Sequence, residues 1–264
     1  MGIINVTPDS FADGGVRFDP LKAVEDGLQM IEDGADLLDV GGESTRPGAN
    51  PLPEDDELRR VLPVVERLAA DGGVPVSVDT YKARVAIDAV ACGAAIVNDV
   101  SALQYDEDLA AAVAESGAAI VLMHNRGRSR DMYREAVYDD VAGEIASELE
   151  AALDRAVASG IRREAVILDP GLGFAKRAEH TYEALARLDR IRQLDRPILS
   201  GPSRKSFLNL ALGQRPVSGR EWGTAAAVAA SVLLGAHIVR VHGVREMVDV
   251  ARVTDRILSA QLEP

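Results

Sequence analysis

The chain has 264 residues, 47% hydrophobic and 27% charged, a balance that suits one large α/β domain with a core of useful size. A formal net charge of −13 argues against a nucleic-acid or anionic-membrane partner, so any bound anion must be met by a few cations that converge locally. The single cysteine, Cys92, excludes an intrachain disulfide and a cysteine metal cluster and fits a reducing compartment.

The opening stretch "GIIN" (2–5) is short, apolar and β-branched, and predicts a first strand. It lacks the basic start and long apolar run of a secretion signal. No stretch approaches the roughly 18 apolar residues that span a membrane, so the cytoplasm is the expected location. Because the strand begins at the start of the chain, an upstream segment is left open. A helix is expected from Asp19 to Asp33: Asp19 caps it, Pro20 suits its first turn, and Gly34 stops it. Leu21, Val24, Leu28 and Ile31 should form its buried stripe.

Further strands are expected at "LLDV" (37–40), "PVSVD" (75–79), "AIVND" (95–99), "AIVLMH" (119–124), "AVILD" (165–169), "PILS" (197–200) and "HIVRVH" (237–242). None alternates polar with apolar residues, the look of parallel strands buried on both faces. Helices are expected at 108–117, 139–160 and 224–235, each ending in glycine, and at 251–264. Loop seven should become a helix near Ser206. Cys92 reads as a small core residue, His180 and His237 as surface or helix-end groups, and His124 as either structural or functional. Eight strands with helices between them predict a single-domain (β/α)8 barrel over 1–264, ahead of an open doubly wound sheet.

In such a barrel the active site lies at the carboxyl ends of the strands. Here those ends carry Asn5, Asp39, Asp79, Asn98-Asp99, His124, Asp169, the Arg204-Lys205 pair, and Arg240 with His242. One such residue is often a cap; eight at one rim argue for a site. Asp79, Asn98 and Asp169 are short acceptors suited to the N–H donors of a flat heterocycle. Arg46, Lys205, Arg240 and His242 suit an anion such as a phosphate. The site therefore reads as bipolar, with acceptors deep and cations at the mouth. No dinucleotide or Walker fingerprint is present, and no nucleophilic Ser, Cys or covalent Lys is suggested.

The stretches "MGIINVTPDSFADGG" (1–15), "DVGGESTRPGA" (39–49), "SVDT" (77–80), "VND" (97–99), "LMH" (122–124), "LDPGLGF" (168–174), "SRKSF" (203–207) and "RVH" (240–242) together resemble the dihydropteroate synthases of the folate pathway. The resemblance runs the length of the chain, one motif per strand. It implies that 7,8-dihydropterin-6-ylmethyl diphosphate and p-aminobenzoate condense to dihydropteroate and pyrophosphate. It also implies a homodimer, and a Mg²⁺ ion bound by Asn5 with the diphosphate. Asp79, Asn98, Asp169 and Lys205 would hold the pterin ring, and Thr45, Arg46, Arg240 and His242 the diphosphate. Pro47, Phe174, Lys205 and Ser206 would form the p-aminobenzoate pocket, with Phe11 covering it and Asp13 in the closing first loop. Asp13, Arg46, Asp79 and Lys205 are the expected catalytic set. Carbon–oxygen cleavage is expected to precede amine attack.

Two positions depart from the family's usual pattern: Gly243 removes an acid, and Asn125 replaces an apolar residue. Sulfonamides resemble p-aminobenzoate, and changes around Phe11, Thr45 or Ser206 would separate the two. The alternatives are a related barrel that transfers a methyl group from methyltetrahydrofolate to a corrinoid protein, and a non-catalytic pterin-binding paralogue. The first has no use for "STRPG"; the second should lose one of Asn5, Arg46 or Lys205.

Overall fold

The protein is seen in a computed structural model that describes residues 1–7, 19–45, 48–128, 133–134 and 136–262, the last two by backbone alone. Phe11, Asp13, Arg46 and Pro47 lie outside the described residues. Eight parallel strands alternate with helices: β1 (Gly2–Asn5), β2 (Leu38–Gly41), β3 (Val76–Asp79), β4 (Ile96–Asp99), β5 (Ala119–Met123), β6 (Val166–Asp169), β7 (Leu199–Ser200) and β8 (Ile238–Val239). β1 to β6 form one sheet in sequence order and β7 pairs with β8. Single bridges join the two: Leu168 pairs with Ile198, and Gly2 with Val241. The Ile3 amide donates to the Val241 carbonyl at 3.0 Å, and the Val241 amide to that of Met1 at 3.0 Å. The ring so closed is the expected (β/α)8 barrel. Its last two strands are shorter than the sequence suggests: β7 starts two residues late and β8 ends at Val239, while Ile198 and Val241 keep only single bridges to their outer neighbours.

Successive side chains of a strand face opposite ways. The outward set, Ile4, Leu38, Val40, Val76, Val78, Val97, Ile120, Leu122, Val166, Leu168 and Ile198, packs into the main core with the helices. The inward set begins as a small apolar plug of Met1, Ile96, Val121 and Leu199, with Leu37, Ala119, Ile167 and Ile238 against it. Two residues further along, the same inward face turns polar: Asp39 follows Leu37, Asn98 follows Ile96, Asp169 follows Ile167 and Arg240 follows Ile238. The strand pattern thus places a hydrophobic floor under a polar layer.

The surrounding helices are α1 (Pro20–Glu32), α2 (Glu54–Asp71), α3 (Ala83–Ala91), α4 (Leu109–Ser116), α5 (Val141–Ala158), α6 (Ala178–Ala186), α7 (Asp189–Arg192), α8 (Asn209–Leu212), α9 (Glu221–Leu233) and α10 (Val244–Leu262). Asp19 caps α1 as expected, accepting the Leu21 amide at 2.9 Å, and Gly34 ends it at φ +100°. The buried stripe of α1 differs from the expected one. Val24 is buried as expected and Leu28 and Ile31 pack against the core, but Leu21 is 72% exposed, and Ala23 and Gly27 are buried on that side. A Cβ on Gly27 would lie 2.8 Å from the Leu68 side chain and 2.9 Å from that of Ile4, so a small residue sets this contact. Cys92 is partly buried against the core rather than within it. No described helix is long and apolar enough to cross a membrane.

Candidate active site

The carboxyl ends of β2, β3 and β4 meet the residue after β8 in one charged knot. Arg240 donates from Nε to Asp39 Oδ2 at 2.6 Å and from a terminal nitrogen to Asp79 Oδ2 at 2.8 Å. Asn98 donates to Asp39 Oδ2 at 3.0 Å. Asp39 is fully buried, and its Oδ1 has no hydrogen-bond partner among the described residues. Burial disfavours ionised carboxylates, and it lifts the Asp79 carboxyl to about 7 against the pull of Arg240. The expected division into deep acceptors and cations at the mouth therefore fails for Arg240, which sits among the acceptors. Asp39 was noticed only as a strand-end residue; here it is the hub of the layer.

Asp169, at the end of β6, is buried and accepts the Gly171 amide at 2.7 Å. Burial raises its carboxyl, with Lys205 and that amide opposing. Lys205 donates to the Leu172 carbonyl, and its ammonium stands 4.3 Å from the centroid of the Phe174 ring. Burial lowers its pKa to about 8, with Asp169 opposing. Both cations lie beside Gly201: a Cβ there would stand 3.9 Å from Arg240 Cβ and 4.0 Å from Lys205 Nζ, in ordinary contact with each. Asp169 and Lys205 thus adjoin the knot, and the Phe174 ring lies against Lys205.

Of the other expected residues that the structure describes, Asn5 ends β1 and Thr45 lies in the loop after β2, both partly exposed. Ser206 is exposed at the first position of a 3₁₀ turn, Ser206–Leu208, that leads into α8. The His242 ring nitrogen Nδ1 and Ser203 Oγ are 2.9 Å apart. Asp99 points elsewhere: it accepts the amides of Ser101 at 2.7 Å and Leu103 at 2.6 Å, holding a turn with Ala102 and Leu103 at positive φ. That is a structural role, and burial raises its carboxyl to about 6.

A second buried knot fixes the base of the loop after β2. Lys82 pairs with Glu43 at 2.6 Å and with Glu57, and donates to the Leu52 carbonyl at 2.7 Å. Tyr81 donates to Glu43 at 3.0 Å, and the Leu52 amide does so at 3.0 Å. Glu43 and Leu52, the two shoulders of the loop, are therefore tied to the start of α3. Nothing in the sequence flagged Lys82, because its partners come from two other segments. At Gly243 a Cβ would lie 2.6 Å from Glu221 Oε1, so an acid there would confront a carboxylate already paired with Arg204 at 2.8 Å.

Residues 1–242 match the family of pterin binding enzymes. The chain is 47% identical over 266 residues to the dihydropteroate synthase of Mycobacterium leprae, covering 98% of this chain and 93% of that one. It superposes on the dihydropteroate synthase of Yersinia pestis in complex with a sulfonamide drug with a TM-score of 0.93 at 40% identity, over 98% of this chain and 94% of that one. With the Xanthomonas albilineans dihydropteroate synthase in complex with 7,8-dihydropteroate the TM-score is 0.89 at 40% identity, over 100% and 94% of the two chains.

Proposed function

The chain belongs to the pterin binding enzymes, and from that premise we propose that it is a dihydropteroate synthase, condensing 7,8-dihydropterin-6-ylmethyl diphosphate with p-aminobenzoate. The observation that carries the reading is the layer of Asp39, Asp79, Asn98 and Asp169 across the barrel, with Arg240 and Lys205 among them. A flat ring with adjacent N–H donors satisfies Asp169 and Asp79 together, and Asn98 can both donate and accept. Lys205 bridges the ring site and the Phe174 face where p-aminobenzoate packs, with Pro47 and Ser206 as further walls. Thr45, Arg46, Arg240 and His242 meet the diphosphate. Likeness along almost the whole chain to synthases supports this over the methyl-transfer barrel.

Magnesium takes oxygen ligands and commonly shares them with substrate phosphates. Asn5 offers one neutral amide oxygen at the rim, which fits that shared arrangement; among the described residues no group of three His, Cys, Asp or Glu could form a closed cage. Bound there, Mg²⁺ would lower the cost of charge on the departing pyrophosphate. The carboxylates do the complementary work, favouring positive charge on the pterin methylene while the carbon–oxygen bond breaks. Phe11 and Asp13 in the first loop, with the second loop, exclude water until the amine attacks. A large secondary deuterium isotope effect at the methylene supports cleavage first; its absence refutes that order.

Pyrophosphate release is measured from the dihydropterin diphosphate with and without p-aminobenzoate and Mg²⁺, beside Arg46→Ala. Release that needs all three components and yields dihydropteroate is expected, with EDTA abolishing it and a sulfonamide competing with p-aminobenzoate. Pterin binding without turnover would favour the non-catalytic paralogue. A homodimer is proposed on the exposed apolar side chains of α9 and α10, Trp222 at 85%, Val253 at 62% and Ile257 at 51%. Light scattering of the protein and of Trp222→Glu checks it. The cytoplasm remains the proposed location.

A further inference from the structure

One buried lysine has no part in that reaction. Lys176 is 2% exposed and heads the fully buried side chains by size. Burial lowers its pKa well below the usual lysine value, and its Nζ lies against three acceptors: His124 Nδ1 at 2.7 Å, the Phe174 carbonyl at 3.0 Å and the His124 carbonyl at 3.4 Å. His124 is itself buried, and its Nε2 lies 3.1 Å from Glu148 Oε2. Burial and the nearby Lys176 hold the imidazole pKa down to about 4. The ring is therefore neutral, and with Lys176 donating to Nδ1 the hydrogen falls on Nε2, on the Glu148 side. Glu148 is fixed in turn by Arg126, Nε to Oε1 at 3.0 Å.

The backbone around this lysine is closely packed. A Cβ on Gly171 would lie 2.0 Å from the His124 carbonyl oxygen, so the loop after β6 rests directly on the end of β5. Tyr138 donates to the Ala175 carbonyl at 2.9 Å, and Ala175 has φ +47°. A hydrophobic side chain would fill the space at lower cost, because burying an ammonium costs several kcal/mol before its partners compensate. What the lysine Nζ adds is direction. Of the two carbonyls it holds, the nearer is that of Phe174, whose ring faces Lys205.

We propose that Lys176, held by His124, is a positioning residue for the p-aminobenzoate pocket: by gripping the Phe174 carbonyl it sets the ring against which the arylamine packs. The inference rests on the reading of Phe174 as a wall of that pocket.

The test is Lys176→Met, which keeps length and removes the Nζ donor. The KM for p-aminobenzoate should rise about tenfold, equivalent to about 1.4 kcal/mol, with kcat little changed. The dissociation constant for the dihydropterin diphosphate, read by calorimetry, should stay within about twofold, well inside the tenfold that 1.4 kcal/mol represents. Phe174→Leu should raise the same KM. The double variant should then be no worse than Phe174→Leu alone, since a residue that acts through a ring adds nothing once the ring is gone. Additive effects, or equal losses of pterin and p-aminobenzoate affinity, overturn the proposal. If Lys176→Met does not fold, His124→Ala removes one acceptor and leaves Nζ two carbonyls, and the same cycle decides. Wild-type protein that makes no dihydropteroate would sink the synthase reading instead.

Discussion

Arg240→Met should destabilise the barrel in a way that depends on pH. The guanidinium compensates two carboxylates, Asp39 at 2.6 Å and Asp79 at 2.8 Å, with side-chain exposures of 0% and 12%. Removing one partner of a buried pair costs about 3–5 kcal/mol. Because Arg240 keeps 19% of its side chain in solvent, the lower half of that range applies, about 3 kcal/mol. Asp79 sets the pH dependence. Its folded pKa, about 7, lies above the unfolded value, so its contribution is fully present at low pH and is lost as pH rises through 7. Arg240 is what restrains that rise. Without it the folded pKa climbs further, and stability goes on falling above pH 7 where the wild type has levelled off. Each added unit is worth about 1.4 kcal/mol. Urea unfolding at pH 6 and pH 9 should therefore give a larger loss for Arg240→Met at pH 9. Placing Asp79→Asn in both backgrounds should erase that extra loss. Equal destabilisation at both pH values, or a larger one at pH 6, would refute the coupling.

Asp169→Asn keeps an oxygen for the Gly171 amide but loses the charge, and should weaken pterin binding by about 10- to 100-fold in calorimetry, the range of a charge-assisted bond. Gly171→Ala places a methyl carbon 2.0 Å from a carbonyl oxygen at φ +65°, so denaturant unfolding should show a loss of at least about 3 kcal/mol. Lys205 should give kcat/KM for the dihydropterin diphosphate an alkaline limb near pH 8, because the ammonium is charged below its lowered pKa and neutral above it. Lys205→Arg, if active, should lack that limb; an unchanged limb would assign it to another group.

The strands were legible because each is a short β-branched run with an inward chemical group at its end. All eight fall within a residue or two of the expected bounds at their starts, β8 beginning at Ile238 and β7 at Leu199. The capping chemistry of α1 was equally local and is found as written. What the sequence concealed depends on contacts between distant segments. Asp39 meets Arg240 across 201 residues, and no local pattern couples them. Lys176 stands in the polar-looking run "FAKRAEH", where burial leaves no signature. The face of α1 was misjudged at Leu21 because apolar spacing ignores the close approach that Gly27 permits. Phe11, Asp13, Arg46 and Pro47 lie outside the described residues, so their assignments rest on the family.

The charge of the layer bears on the order of bond making and breaking. Three carboxylates, Asp39, Asp79 and Asp169, face two cations, Arg240 and Lys205, across the mouth of the barrel. Fully ionised, the cluster carries one negative charge more than it can pair internally. Burial first, and the neighbouring Asp39 carboxylate after it, raise the Asp79 pKa to about 7, so the layer takes up a proton near neutrality. A pterin that develops positive charge as its carbon–oxygen bond breaks supplies the missing cation and favours the ionised form of Asp79. The cost stored in the layer would then be released in the transition state rather than on binding. An amine attack concerted with departure of the diphosphate spreads less positive charge onto the ring and draws less from the same carboxylates. The arrangement therefore favours cleavage before attack, and Asp79→Asn should slow turnover more than it weakens pterin binding.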